Sequence, residues 1–79
     1  MKIPRNLSGH QLVQILCSDW GYRKLHQTGS HVVLQTQEPK QHRIAVPDHK
    51  ALRIGTLLAI LRSVSTHKGV SRDEILKNL

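Results

Sequence analysis

Apolar residues change their spacing twice along the chain, dividing it into helical, alternating and helical regions. Leu12, Ile15 and Leu16 recur three and four apart, with Leu7 placed to staple the entry. Ser8-Gly9-His10-Gln11 reads as a capping box, in which the serine side chain accepts from an orphan N–H and Gln11 reaches back. Gly21 supplies the stop, so a first packing helix is predicted from Gly9 to Asp19. From Tyr22 to Val46 the period becomes two, and three strands fit: Tyr22–Gln27, His31–Thr36 and His42–Val46. Thr28-Gly29 joins the first pair and Gln37-Glu38-Pro39-Lys40-Gln41 the second, both with turn chemistry. Pro47 cannot donate a ladder hydrogen bond and closes the meander.

A second helix is predicted to start near Arg53 or Ile54, with Leu57, Leu58, Ile60, Leu61 and Val64 as a broad apolar face. Gly55 would allow this helix to approach the sheet closely, and Thr66-His67-Lys68-Gly69 would break it. Ser71-Arg72-Asp73-Glu74 is a second capping box, opening a short helix with Ile75, Leu76 and Leu79 inward. The order α-β-β-β-α-α predicts one α+β domain over residues 1–79, a three-stranded antiparallel sheet with helices on one face. No repeat, linker or low-complexity segment interrupts it.

The hairpin decides which side chains share the open face. With an even loop, Leu25, Val32 and Leu34 fall on the core side, joined by Ile44 and Val46. Lys24, His26, His31 and Arg43 then stand on the other side, with Val33 between them. His42 alternates with Arg43 and falls on the core side. His10 and His67 are expected in solvent, and His49 in a loop from which it could reach a substrate.

Charge gives that face a purpose. Twelve Lys and Arg against five Asp and Glu give a formal charge of +7, which suits phosphate backbones or an acidic protein. With no Phe, one Trp and one Tyr, there is little surface for base stacking, which weakens a reading as an RNP-type or OB-fold binder. The six histidines add charge below neutral pH, so RNA affinity should rise as pH falls. Cys17 is the one cysteine, so no internal disulfide or thiolate cluster can form, which fits a reducing cytoplasm. No apolar h-region follows Met1-Lys2-Ile3-Pro4-Arg5, and no stretch has transmembrane length. Neither HExxH nor paired CxxC is present, and no P-loop or GxSxG elbow, so neither metal nor other cofactor is expected.

Gly29-Ser30-His31 is the segment with chemistry in it. A neutral imidazole can remove a ribose 2′-proton so that the alkoxide attacks the adjacent phosphorus. Cations then stabilise the phosphoryl oxygens, and an imidazolium protonates the leaving 5′-oxygen. His31 is the candidate base, with Lys24, His26, Ser30 and Arg43 as candidate RNA contacts and His26 also as an acid.

Taken together, these segments resemble the HicA family of toxin mRNA interferases. The resemblance runs from Lys2 to Leu79, through Lys2-Ile3-Pro4-Arg5, Leu7-Ser8-Gly9, Trp20-Gly21-Tyr22, Gly29-Ser30-His31, Val46-Pro47, Gly55-Thr56-Leu57 with Ile60-Leu61, and Val70-Ser71-Arg72-Asp73-Glu74. Many relatives follow the histidine with a second one or an aromatic-containing strand, whereas here Val32-Val33-Leu34 follows. The resemblance implies a fold like that of the double-stranded RNA-binding domain and ribonuclease activity through His31. It also implies inhibition by a HicB-type antitoxin in a hetero-oligomer. Two other readings use the same basic surface: a non-catalytic module of the double-stranded RNA-binding type, and a domain made for an acidic protein partner.

Overall fold

The structure, a computed structural model, describes residues 6–77. The Lys2-Ile3-Pro4-Arg5 opening and the inward placement of Leu79 lie outside the described residues. The element order is α1 (Gly9–Asp19), β1 (Arg23–Thr28), β2 (His31–Thr36), β3 (His42–Pro47), α2 (Ile54–Lys68) and α3 (Arg72–Ile75). The strands form one antiparallel sheet in the order β1-β2-β3, with the helices on one side of it. This is an α+β fold with the arrangement of the double-stranded RNA-binding domain. Among the described residues no helix is long and apolar enough to cross a membrane.

Helices α1 and α3 start where a serine side chain can satisfy an orphan donor. Gln11 N–H donates to Ser8 Oγ at 3.0 Å, and Ser8 N–H donates to Gln11 Oε1 at 3.0 Å, closing the predicted capping box. Ser71 Oγ likewise accepts from Glu74 N–H at 3.2 Å at the start of α3. The core is assembled from all three regions: Leu12 and Leu16 of α1, Leu34 and Val46 of the sheet, Leu57, Leu61 and Val64 of α2, and Ile75 are fully buried. Each large aliphatic side chain so buried contributes roughly 1.5–3 kcal/mol. Trp20 Nε1–H donates to the Ile75 carbonyl at 3.3 Å, fastening α3 to the end of α1.

Several expectations are corrected. The sheet register slips between Lys24 and His26, leaving Leu25 as an extra residue, 44% exposed. Every residue of β1 is exposed, because α1 and α2 pack over β3 and leave this edge strand uncovered. Leu25 therefore has no core to join. Gly55 does not approach the sheet; it is exposed on the outer side of α2, where a Cβ would meet nothing within 4 Å. Finally, α2 does not break at Thr66 but runs through Lys68 to a left-handed Gly69 cap.

That extra turn of α2 builds a polar cluster against the sheet. His67 is half-buried, not solvent-exposed, and stacks on His42 with ring centroids 4.3 Å apart. His42 Nδ1 shares a 2.9 Å hydrogen bond with the Tyr22 hydroxyl, and its Nε2 lies 3.1 Å from Ser63 Oγ. A neutral imidazole donates to one hydroxyl and accepts from the other, so either tautomer is satisfied. Lys68 Nζ donates to Thr36 Oγ1 at 2.9 Å and to the Glu38 carbonyl at 2.7 Å, pinning the β2–β3 loop.

Burial pushes the His42 pKa down by desolvating the imidazolium, and the neighbouring His67 and Lys68 add to this by electrostatic repulsion. Burial also pushes Tyr22 up to about 12. For His42 the folded value lies below the unfolded one, so the unfolded chain binds the proton first and stability falls as pH drops below about 6.5. Urea unfolding midpoints should be level from pH 8 to 7 and decline toward pH 5. In His42→Gln that decline should be shallower than in the parent chain; an identical decline would clear His42 of the effect.

Candidate nucleic-acid interface and active face

The open face of the sheet is read from the strand pairing. Thr28 pairs with His31, so Gly29 and Ser30 alone form the turn. Gly29 has φ +58°, and Ser30 has no such strain, the pattern of a type II′ turn with glycine first. Across the face, His31 pairs with Thr28 and Pro47, and Val33 with His26 and Ala45. Gln35 pairs with Arg23 and Arg43. His26, His31 and Arg43 thus share one face, as the alternation rule requires.

Lys24 does not join them. It pairs with Leu34, whose side chain is buried on the helix side, and its ammonium donates to Gln27 Oε1 at 3.4 Å. Gln27 in turn pairs with Val32, another core residue, so both lie on the helix side of the uncovered edge. The bulge at Leu25 is the cause, since one extra residue inverts the facing of everything before it. By the same inversion Arg23 takes the open-face position that alternation had assigned to Lys24. A bulge of one residue leaves no compositional mark, so Arg23 escapes a reading of the sequence, whereas Gln35 alternates with His31 and Val33 and its place on the open face needs no bulge.

His31 is exposed and its ring makes no hydrogen bond or ion pair among the described residues, so it is free to meet a ligand. Its backbone, in contrast, is held. Asp48 N–H donates to the Ser30 carbonyl, docking the chain after β3 against the turn. That chain is braced again by Gly9 N–H to the His49 carbonyl at 2.9 Å and Leu52 N–H to the Leu7 carbonyl at 2.8 Å. His49 and Lys50 lie exposed in this loop. His26 sits on the neighbouring strand, diagonal to His31, with its Nδ1 3.5 Å from Thr28 Oγ1. His10 is exposed at the start of α1.

Further along the face, Arg43 donates from Nε and Nη2 to Gln35 Oε1 at 3.2 and 2.9 Å. The three strands carry no Asp or Glu. The face is therefore cationic and rich in donors, with two imidazoles at one end and two guanidinium groups at the other. Among the described residues no group of three or more His, Cys, Asp or Glu could hold a metal ion. Cys17 is a half-buried free thiol whose pKa burial pushes up, which suits packing rather than reactivity.

A family model described as HicA toxin of bacterial toxin-antitoxin matches residues 9–65, which include α1, the whole sheet and most of α2. No curated protein and no solved structure matches the chain.

Proposed function

The chain belongs to the HicA toxin family of bacterial toxin-antitoxin systems, and from that premise we propose that it is an endoribonuclease that cleaves mRNA in the cytoplasm. The observation that carries this reading is the exposed His31 ring on a braced strand start, at the edge of a face without carboxylates. His31 acts as general base on the ribose 2′-hydroxyl, and the alkoxide displaces the 5′-oxygen from phosphorus. The products are a 2′,3′-cyclic phosphate and a free 5′-hydroxyl. His26, one strand away on the same face, binds the substrate and is the candidate to protonate the leaving oxygen. Ser30 contacts the RNA from the turn. A HicB-type antitoxin neutralises the toxin by forming a hetero-oligomer with it.

The route makes the 2′-hydroxyl indispensable. An RNA oligonucleotide cut by the pure protein should resist cleavage when the nucleotide before the scissile bond is replaced by its 2′-deoxy form, with a loss of about a hundredfold or more. Binding of the two oligonucleotides should remain comparable. Cleavage of both at equal rates would exclude this mechanism. Retarded but intact parent RNA would favour the non-catalytic double-stranded RNA-binding reading instead.

A further inference from the structure

We propose that Arg23, Gln35 and Arg43 form a second phosphate subsite on the open face, which grips the RNA strand away from the phosphodiester at His31. This rests on the reading of that face as an RNA surface. The three side chains lie in one cross-strand row, because Gln35 pairs with Arg23 on one side and with Arg43 on the other. Arg23 and Arg43 are exposed, and neither is in an ion pair among the described residues.

The hydrogen bonds within the row leave donors to spare. Gln35 Oε1 accepts from Arg43 Nε and Nη2, and from Gln41 Nε2 at 3.5 Å. The acceptor of that amide is used, while its N–H₂ group makes no hydrogen bond among the described residues. Arg43 is held by two of its nitrogens, and among the described residues its Nη1 and the Arg23 guanidinium have no partner. A site of amide and guanidinium donors with no free acceptor is matched by an anionic oxygen, and phosphate is the anion an RNA strand supplies. Gln35 is a positioning residue for Arg43 as well as a donor.

Spacing separates this subsite from the chemistry. His31 and Gln35 are four residues apart on one strand, about 13 Å at the usual rise. A phosphate seated in the row is therefore a different phosphate from the one attacked at His31. The row also takes Arg43 away from direct stabilisation of the reacting phosphorus. Its effect is on holding and aligning the substrate, and a dinucleotide with one phosphodiester cannot occupy both places.

The test combines binding and cleavage. In a His31→Ala background, binding of a single-stranded RNA of about a dozen nucleotides is followed across a salt series. Arg23→Gln with Arg43→Gln should weaken binding at least tenfold and make the log–log salt dependence shallower by about one unit. Lys24→Gln removes one charge from the same strand on its other side, where the double variant removes two, and should change both by much less than half as much. With His31 intact, the advantage in kcat/KM of the long RNA over a dinucleotide should collapse in the double variant. Changes in log affinity and salt dependence no more than twice those of Lys24→Gln would overturn the subsite. A protein that fails to cleave any RNA yet loses affinity in the double variant would overturn the ribonuclease reading and leave the subsite standing.

Discussion

Replacing His31 by alanine should reduce RNA cleavage by about a hundredfold to ten-thousandfold, the span expected for removing a general base, while leaving the fold almost untouched. The two halves of this expectation come from different observations. The ring is exposed and bonded to nothing among the described residues, so no hydrogen bond to them is lost with it. Surface substitutions of that kind move stability by less than about 0.5 kcal/mol. The backbone at His31 is fixed by ladder pairing to Thr28 and Pro47 and by the Asp48–Ser30 hydrogen bond, none of which needs the imidazole. Thermal unfolding of His31→Ala should therefore overlay that of the parent protein, and RNA retention on a gel should survive. Labelled mRNA incubated with each protein reads the activity, and induced expression reads the growth arrest. Undiminished cleavage by purified His31→Ala would take the residue out of the mechanism. A collapse in melting temperature would instead make it a structural histidine.

The sequence made this residue conspicuous, and the reason is local. Thr28-Gly29 between two alternating runs marks a turn, and the strand start at His31 follows from it, although the two loop residues are Gly29 and Ser30, because Thr28 pairs with His31. The same locality made both capping serines and the ends of α1 legible. What escaped depended on tertiary contacts. Leu25 is apolar, and period-two alternation assigns it to the core, but no helix covers the outer edge of β1. An edge strand without a roof can bulge at small cost, and one bulge exchanged Lys24 for Arg23 on the open face. Thr66-His67-Lys68 likewise has the composition of a helix end. Stacking on His42 and the two Lys68 hydrogen bonds to Thr36 and Glu38 hold it in the helix against that preference.

The same division between local preference and tertiary contact gives the strongest stability prediction, at Gly9. By helix propensity alone, Gly9→Ala should stabilise α1 by up to about 1 kcal/mol. The structure demands the opposite sign. A Cβ built on Gly9 would fall 1.9 Å from the Pro47 carbonyl oxygen, 2.9 Å from its carbonyl carbon and 3.0 Å from Asp48 Cα. All three obstacles are backbone, and they belong to the stretch that docks on Ser30, so no side chain can swing aside to make room. Overpacking against mobile side chains typically costs about 1–3 kcal/mol. Here α1 and the chain after β3 must part, straining the Gly9–His49 bond, so the cost should reach about 3 kcal/mol or more. For a domain of this size that is a melting temperature lowered by more than about 10 °C. Ser8→Ala, one residue earlier, loses only a cap and should cost about 1 kcal/mol. Because the displaced segment carries the Asp48–Ser30 bond, Gly9→Ala should also lower RNA cleavage at temperatures where the variant is still folded. A Gly9→Ala protein that melts at or above the parent temperature would show that the close approach of α1 to Pro47 does not exist in solution. The bracing assigned to His31 would fall with it.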